Sequence, residues 1–220
     1  MYKNTYVPTT IVDGFFDNPD KIRFYALNQK YSNDTEGRWP GVRTQDLSSV
    51  SPVVFHTICQ KILSLFFTTK QPYFYEAQAF FQIVDKKFES GWVHKDTSLI
   101  TAIVYLTPDS SSGTSLYVKK DIDYNDDDHL QDKFINYKKG IDKGSSRDIN
   151  NQNYVETLNI SGLYNRFVVF DSNNYHAAQD FFGDSKDESR LTLVVFFSSI
   201  SGDLETPLQR SKSFRSATIL

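Results

Sequence analysis

From Tyr73 onward the chain keeps returning to one pattern: a short run rich in Val, Ile, Phe and Tyr, closed by a turn signal. Such runs cover 73–84, 91–106, 114–118, 166–171, 175–179 and 190–199. β-Branched and aromatic side chains suit a pleated, half-buried surface. Several short strands separated by turns predict an antiparallel sandwich or barrel. The clearest are Leu99–Leu106, closed by Thr107-Pro108, and the run from Arg190 to Phe197.

Helical signals precede these strands. Asp17-Asn18-Pro19 offers a capping side chain and then a proline for the first turn. Ile22, Tyr25, Ala26 and Gln29 follow at helical spacing, so a helix is predicted over 19–30. Ser51-Pro52 repeats the signal. Phe55, Ile58, Ile62, Leu65 and Phe66 then form one stripe on a helix of about four turns. Between the helices, residues 37–44 are expected to be irregular, because Pro40 and two glycines break both periodicities. Trp39 and Arg43 in this loop have two assignments: they line a substrate mouth, or they anchor the loop and cap a helix. Two helices on one outer face of the strands make the class α+β.

Residues 119–157 interrupt the strand rhythm with Lys, Asp, Asn, Gly and Ser. They predict an insertion at the mouth of the fold rather than a second domain, since apolar residues for a core are lacking. Asp126 to Asp128, followed by His129, fit a hard-cation loop or, more simply, a solvated acidic loop. The expected organisation is one domain over 1–220. It comprises an N-terminal region 1–72, a strand core 73–199 carrying the insertion, and a tail 200–220.

Polar residues on the apolar strands carry the chemistry. Side chains alternate along a strand, so His94 and Asp96 share a side and Lys95 takes the other. With His176 they supply two imidazoles and a carboxylate on one face of a metal. That set suits Fe(II) and leaves positions for a co-substrate and dioxygen. Each histidine, taken alone, also fits a satisfied core residue, the commoner fate of an isolated His. Asp96 is harder to place without a cation or several donors, because burying a carboxylate is costly. Arg190, Thr192, Val194 and Phe196 share one face of the last strand. A guanidinium there needs an anion, either a bound carboxylate held by its fork or a nearby Asp184, Asp187 or Glu188.

Composition narrows the field. A chain of 220 residues with 39% hydrophobic residues is large enough to bury a core. A net charge of −3 argues against bulk capture of nucleic acid. The single cysteine, Cys59, excludes an intramolecular disulfide and reads as a small buried hydrophobe. No apolar run has membrane-spanning length and no signal peptide opens the chain, so a soluble, cytoplasmic protein is expected.

The ordered motifs resemble the Fe(II)- and 2-oxoglutarate-dependent dioxygenases, in the prolyl-hydroxylase-like branch. They are Gly91-Trp92-Val93-His94-Lys95-Asp96, Leu99–Leu106, Gly113–Val118, Asn165–Asp171 with His176, and Arg190–Phe197. The chain also resembles an uncharacterised bacterial and phage family with the same core and a Trp-Pro-Gly-Val-Arg-Thr loop, here 39–44. The resemblance implies a double-stranded β-helix (jelly-roll, cupin-like) core. His94, Asp96 and His176 would hold Fe(II), and Arg190, Thr192 and Tyr105 would hold the distal carboxylate of 2-oxoglutarate. It implies hydroxylation of a C–H bond of a peptide side chain or small molecule, with dioxygen as co-substrate.

The family's usual Tyr on the strand before His94 has no clear counterpart, so Gln78 or Gln82 stands in. The usual Gly-Gly pair appears as Ser112-Gly113. A nucleic-acid repair dioxygenase would carry a second Arg where this chain has Phe196. A halogenase would lack the carboxylate of Asp96. The remaining alternative is a non-catalytic jelly-roll binding or structural module that keeps the triad.

Overall fold

The computed structural model describes residues 8–67, 73–108, 112–120, 130–142 and 144–202, with residues 110 and 125. Tyr124, the Asp126–His129 run and the tail beyond residue 202 lie outside the described residues.

Among the described residues, ten strands form two antiparallel sheets. The larger has the order β1-β8-β5-β10-β4-β3-β2, and the smaller β7-β6-β9. The longest strands, β4 (Tyr73–Val84) and β10 (Arg190–Gly202), lie side by side in the larger sheet. Outside them come β5 (Ile100–Tyr105), β8 (Phe167–Asp171) and β1 (Thr10–Val12) on one side. On the other come β3 (Val42–Thr44) and β2 (Tyr31–Asn33). The smaller sheet holds β7 (Tyr154–Ile160), β6 (Thr114–Lys119) and β9 (Tyr175–Ala178).

Strand β10 explains why the polar site is where it is. Flanked by β5 and β4, it is buried on both faces over most of its length. Leu191, Leu193, Val195 and Phe197 point into the main core with Phe55, Ile58, Cys59, Ile62 and Leu63 of α3 (Pro52–Ser64). Ala26 of α1 (Pro19–Leu27) and Leu47 of α2 (Leu47–Val50) join the same core. Each fully buried Leu or Phe contributes roughly 1.5–3 kcal/mol there. On the opposite face, Val194 packs with Ile103, Tyr105, Val168 and Phe170, and with Leu116 and Ile160 of the smaller sheet. The two sheets therefore face each other across this second cluster.

Helix α1 starts as its sequence predicts. Asn18 Oδ1 accepts from the Lys21 N–H at 2.9 Å, and Pro19 sits in the first turn. It ends at Leu27 rather than 30. Ser51 makes no side-chain cap on α3; the capping acid is Asp46, which accepts from the Ser48 N–H at the start of α2.

Three expectations are corrected. Residues 42–44 are strand, because Val42 and Arg43 pair with Ile83 and Gln82 beyond the break at Gly41. The run 91–106 is strand only from Ile100. Before it, the backbone is irregular but bonded to β9: Gly91 N donates to Ala178 O, and His94 and His176 exchange N–H···O bonds at 3.1 and 2.9 Å. A Cβ at Gly91 would lie 2.7 Å from Ala178 N, which explains a glycine at this crossing. The segment 119–157 contains α4 (Leu130–Lys138), α5 (Ser145–Asn151) and the first part of β7. β7 shows no alternation, being buried only at Tyr154 and Ile160.

Candidate metal centre

His94, Asp96 and His176 converge, with one ligand atom from each lying within 4.8 Å of the others. His94 Nε2 is 3.5 Å from Asp96 Oδ1, and His176 Nε2 is 3.3 Å from Asp96 Oδ2. The ring centroids are 4.5 Å apart. His94 comes from the irregular segment beside β9 and His176 from β9 itself. Their mutual backbone bonds fix that spacing before any side chain contributes. Asp96 N donates to Ser172 O at 3.1 Å, which turns its carboxylate toward the two rings.

The tautomers follow from the partners. Nδ1 of His94 lies 2.8 Å from Trp92 O, and Nδ1 of His176 lies 2.9 Å from Asn174 O. A carbonyl only accepts, so each Nδ1 carries the proton and each Nε2 presents a lone pair. Those lone pairs face carboxylate oxygens, and only a proton or a metal ion reconciles acceptors at such separations. Burial, followed by the nearby charge of Lys133, pushes His94 down to about 4, against the pull of Asp96. Burial raises Asp96, but the two imidazoles outweigh it and hold the carboxyl well below its usual range. A neutral His94 imidazole and a charged Asp96 carboxylate are forms that bind a divalent ion. Thr101 Oγ1 donates to Asp96 Oδ2 at 2.6 Å, and Ser172 backs Thr101.

Along β10 lies a second group of polar residues. In register across the sheet, Thr192 pairs with Gln82 on one side and Tyr105 on the other. Arg190 is 6% exposed. Its Nη2 donates to Gly113 O at 3.3 Å, and the guanidinium also hydrogen-bonds toward the Tyr105 phenol oxygen. No carboxylate among the described residues pairs with it, so Asp184, Asp187 and Glu188 do not fill that role; Asp184 pairs with Lys86 instead. The guanidinium lies near the Tyr105 and Phe181 rings, and burial works against its charge. Arg190 Nε and Thr192 Oγ1 are both buried without a hydrogen-bond partner. Two orphaned polar atoms two residues apart on one strand face are what a bound anion would satisfy.

Tyr105 donates its hydroxyl to Thr114 Oγ1 at 2.8 Å, and its phenol oxygen faces the Arg190 guanidinium. Gln82 is committed elsewhere: its Oε1 accepts from Arg43 and its Nε2 donates to Pro40 O at 2.8 Å. Gln78 lies opposite Phe196, further along β4.

Sequence reasoning missed the brace behind His94. Asn151 accepts from Val93 N and donates to Gly91 O, while Asn150 donates to Val93 O. Arg147 bonds Phe88 O and Glu89. Helix α5 thus grips residues 88–93 and holds the approach to His94. Lys133 on α4 was also missed; it is 9% exposed and lies within the electrostatic reach of Asp96 and His94. Nothing in the polar insertion marks these residues as buried.

The fold is shared with solved proteins that carry iron or nickel and 2-oxoglutarate. HygX from Streptomyces hygroscopicus, solved with nickel and 2-oxoglutarate, is similar at 14% identity and a TM-score of 0.52, covering 86% of this chain and 82% of its own. The iron-bound form of HygX superposes equally well, at a TM-score of 0.52 over 86% of this chain and 81% of its own. A 2OG-Fe(II) oxygenase-family protein from Burkholderia pseudomallei matches at 10% identity and a TM-score of 0.44, over 86% of this chain and 84% of its own. No curated protein matches in sequence. The chain itself belongs to a family described as of unknown function, DUF6445, which matches residues 2–197. No described helix is long and apolar enough to cross a membrane.

Proposed function

We propose that this chain is an Fe(II)- and 2-oxoglutarate-dependent oxygenase that hydroxylates a C–H bond of a small molecule or peptide side chain. The two facing sheets are read as its double-stranded β-helix. The observation that carries the proposal is a pairing of sites. Three metal-donor groups meet in the correct tautomers, and the same fold buries Arg190 and Thr192 with unsatisfied donors. HygX, of like fold, has been solved with iron and with nickel and 2-oxoglutarate, which supports assigning the same ligands here.

His94, Asp96 and His176 would hold the ion on one face and leave the opposite face open. Arg190, with Thr192 and the Tyr105 oxygen, would anchor and orient the distal carboxylate of the co-substrate. Bound iron would supply the oxygen chemistry: 2-oxoglutarate, dioxygen and R–H give succinate, carbon dioxide and R–OH. The apolar walls of Val168, Phe170, Val194 and Leu116 exclude water from that reaction.

The test is anaerobic loading with Fe(II) and 2-oxoglutarate, followed by succinate measurement on admitting air. The proposal expects saturable binding of both and slow succinate release even without substrate, abolished in His94→Ala. Tight binding with no succinate under any condition would leave a binding module and overturn the enzymatic reading.

A further inference from the structure

Beside the triad lies a pair of cations that neither the metal nor 2-oxoglutarate accounts for. Arg43 projects from β3 and is stacked on Trp39, with its guanidinium carbon 4.5 Å from the ring centroid. Phe80 and Phe196 lie 5.5 Å away. Its Nε and Nη2 both donate to Gln82 Oε1 at 3.2 and 3.0 Å, and Nη1 has no acceptor among the described residues. Burial pushes Arg43 down to about 10, with Asp96 the leading charge that opposes this. Lys133 reaches in from α4. It is 9% exposed and makes no ion pair or hydrogen bond among the described residues, and burial pushes it down to about 8. Its neighbour Phe134 packs on Gly37, two residues before Trp39, which brings α4 against the segment that carries Arg43; Asp96, Arg43 and Asp142 all act on it electrostatically. The indole Nε1 of Trp39, under the Arg43 guanidinium, is buried with no acceptor.

Two different segments bring these groups together, and they are locked to each other. A Cβ at Gly37 would lie 2.2 Å from Phe134 O, and Lys138 approaches Glu36 at 3.9 Å. Buried cations without partners are costly. Charge balance says what is missing. Asp96 cancels one of the two charges of the iron. The dianionic co-substrate offsets the other and the charge of Arg190. Asp142, the other carboxylate acting on Lys133, is engaged by Trp92, Asn136 and Arg147, so Arg43 and Lys133 keep no ion-pair partner among the described residues in a site walled by Trp39, Phe80 and Phe196.

We infer that Arg43 and Lys133, with the Trp39 N–H, form a second anion site at the mouth of the metal centre, and that the substrate is a carboxylate-bearing molecule with an apolar body. This rests on the oxygenase reading. A guanidinium fork and an ammonium suit a carboxylate, and the aromatic walls suit the apolar part. Specificity for the substrate over its neutral analogue is thereby built into the two segments that meet at Gly37.

The test uses benzoate and the uncharged, isosteric benzamide, titrated calorimetrically into the full chain. Both the metal-free protein and the protein loaded with Ni(II) and 2-oxoglutarate are measured. In the loaded protein benzoate should bind saturably and at least tenfold more tightly than benzamide. Lys133→Met, which keeps the apolar stem, and Arg43→Gln should each remove that preference, and Arg43→Lys should restore part of it. Circular dichroism and melting of each variant identify any that fails to fold, and Lys133→Met decides the matter if Arg43→Gln does. Equal binding of the two probes, no benzoate binding, or a preference that survives both substitutions overturns the anion site. If the substitutions weaken 2-oxoglutarate as much as benzoate, the cations serve the co-substrate and the substrate assignment is wrong. Failure of the oxygenase reading looks different: neither Ni(II) nor 2-oxoglutarate binds, whatever benzoate does.

Discussion

The two faces of β10 obey opposite rules, though they alternate residue by residue along one strand. The face carrying Leu191, Leu193, Val195 and Phe197 is sealed against α3 and holds only apolar groups. The face carrying Arg190, Thr192, Val194 and Phe196 looks toward the smaller sheet and leaves polar atoms unsatisfied. The first face holds the protein together. The second carries polar groups whose burial cost no partner among the described residues offsets. A strand can serve both ends because its period of two separates them completely.

The comparison can be broken most sharply at Phe197, which is fully buried. Phe197→Ala should cost about 3–5 kcal/mol of stability, through lost transfer energy and the cavity left behind. Urea unfolding reads this directly, and metal-loaded protein that remains folded should bind 2-oxoglutarate normally. A small stability loss would mean that this face is not the structural one.

Arg190→Met is the converse. It should weaken 2-oxoglutarate binding by about 2–5 kcal/mol, the penalty for losing a charge-assisted contact. Stability without ligand should stay level or rise, because an unpaired buried charge is replaced by an apolar chain of similar length. Calorimetric titration and thermal melting on one sample separate the two outcomes. A large loss of stability would make Arg190 a structural residue.

Thr192→Val should show the same inversion on a smaller scale. Removing an unpartnered hydroxyl relieves the free protein, while losing its hydrogen bond to the co-substrate should cost about 1 kcal/mol. Loss of stability with unchanged affinity would place the hydroxyl in a hidden structural bond instead.

Much of this was legible in the sequence because it depends on periodicity. The long strands β4 and β10 and the helix stripe of Phe55, Ile58 and Ile62 follow from spacing, whereas His94 and Asp96 meet on an irregular segment that strand alternation does not describe. What was not legible depends on partners far along the chain. Residues 91–99 read as strand because Trp92 and Val93 are apolar, yet β9 and the amides of Asn150 and Asn151 set their path. β7 carries no alternation, since five of its seven residues are exposed. Lys133 looks like one lysine among many in a polar stretch, and only the packing of α4 against the 34–41 loop reveals its burial. Arg43 reads as a loop residue in the sequence, whereas in the structure it is paired with Gln82 on β4 and donates to the Gln82 Oε1.

The orientation of both imidazoles by main-chain carbonyls, Trp92 O and Asn174 O, has a consequence for how such a centre drifts over generations. An orienting carboxylate can be deleted by a single codon change; a carbonyl survives every replacement of the side chain above it. Positions 92 and 174 can therefore vary in identity without disturbing the ligand tautomers, provided the backbone path is kept. The heritable weak points shift to residues that hold that path, Gly91 and Asn151 among them, which touch no metal and would be passed over in a search for conserved ligands.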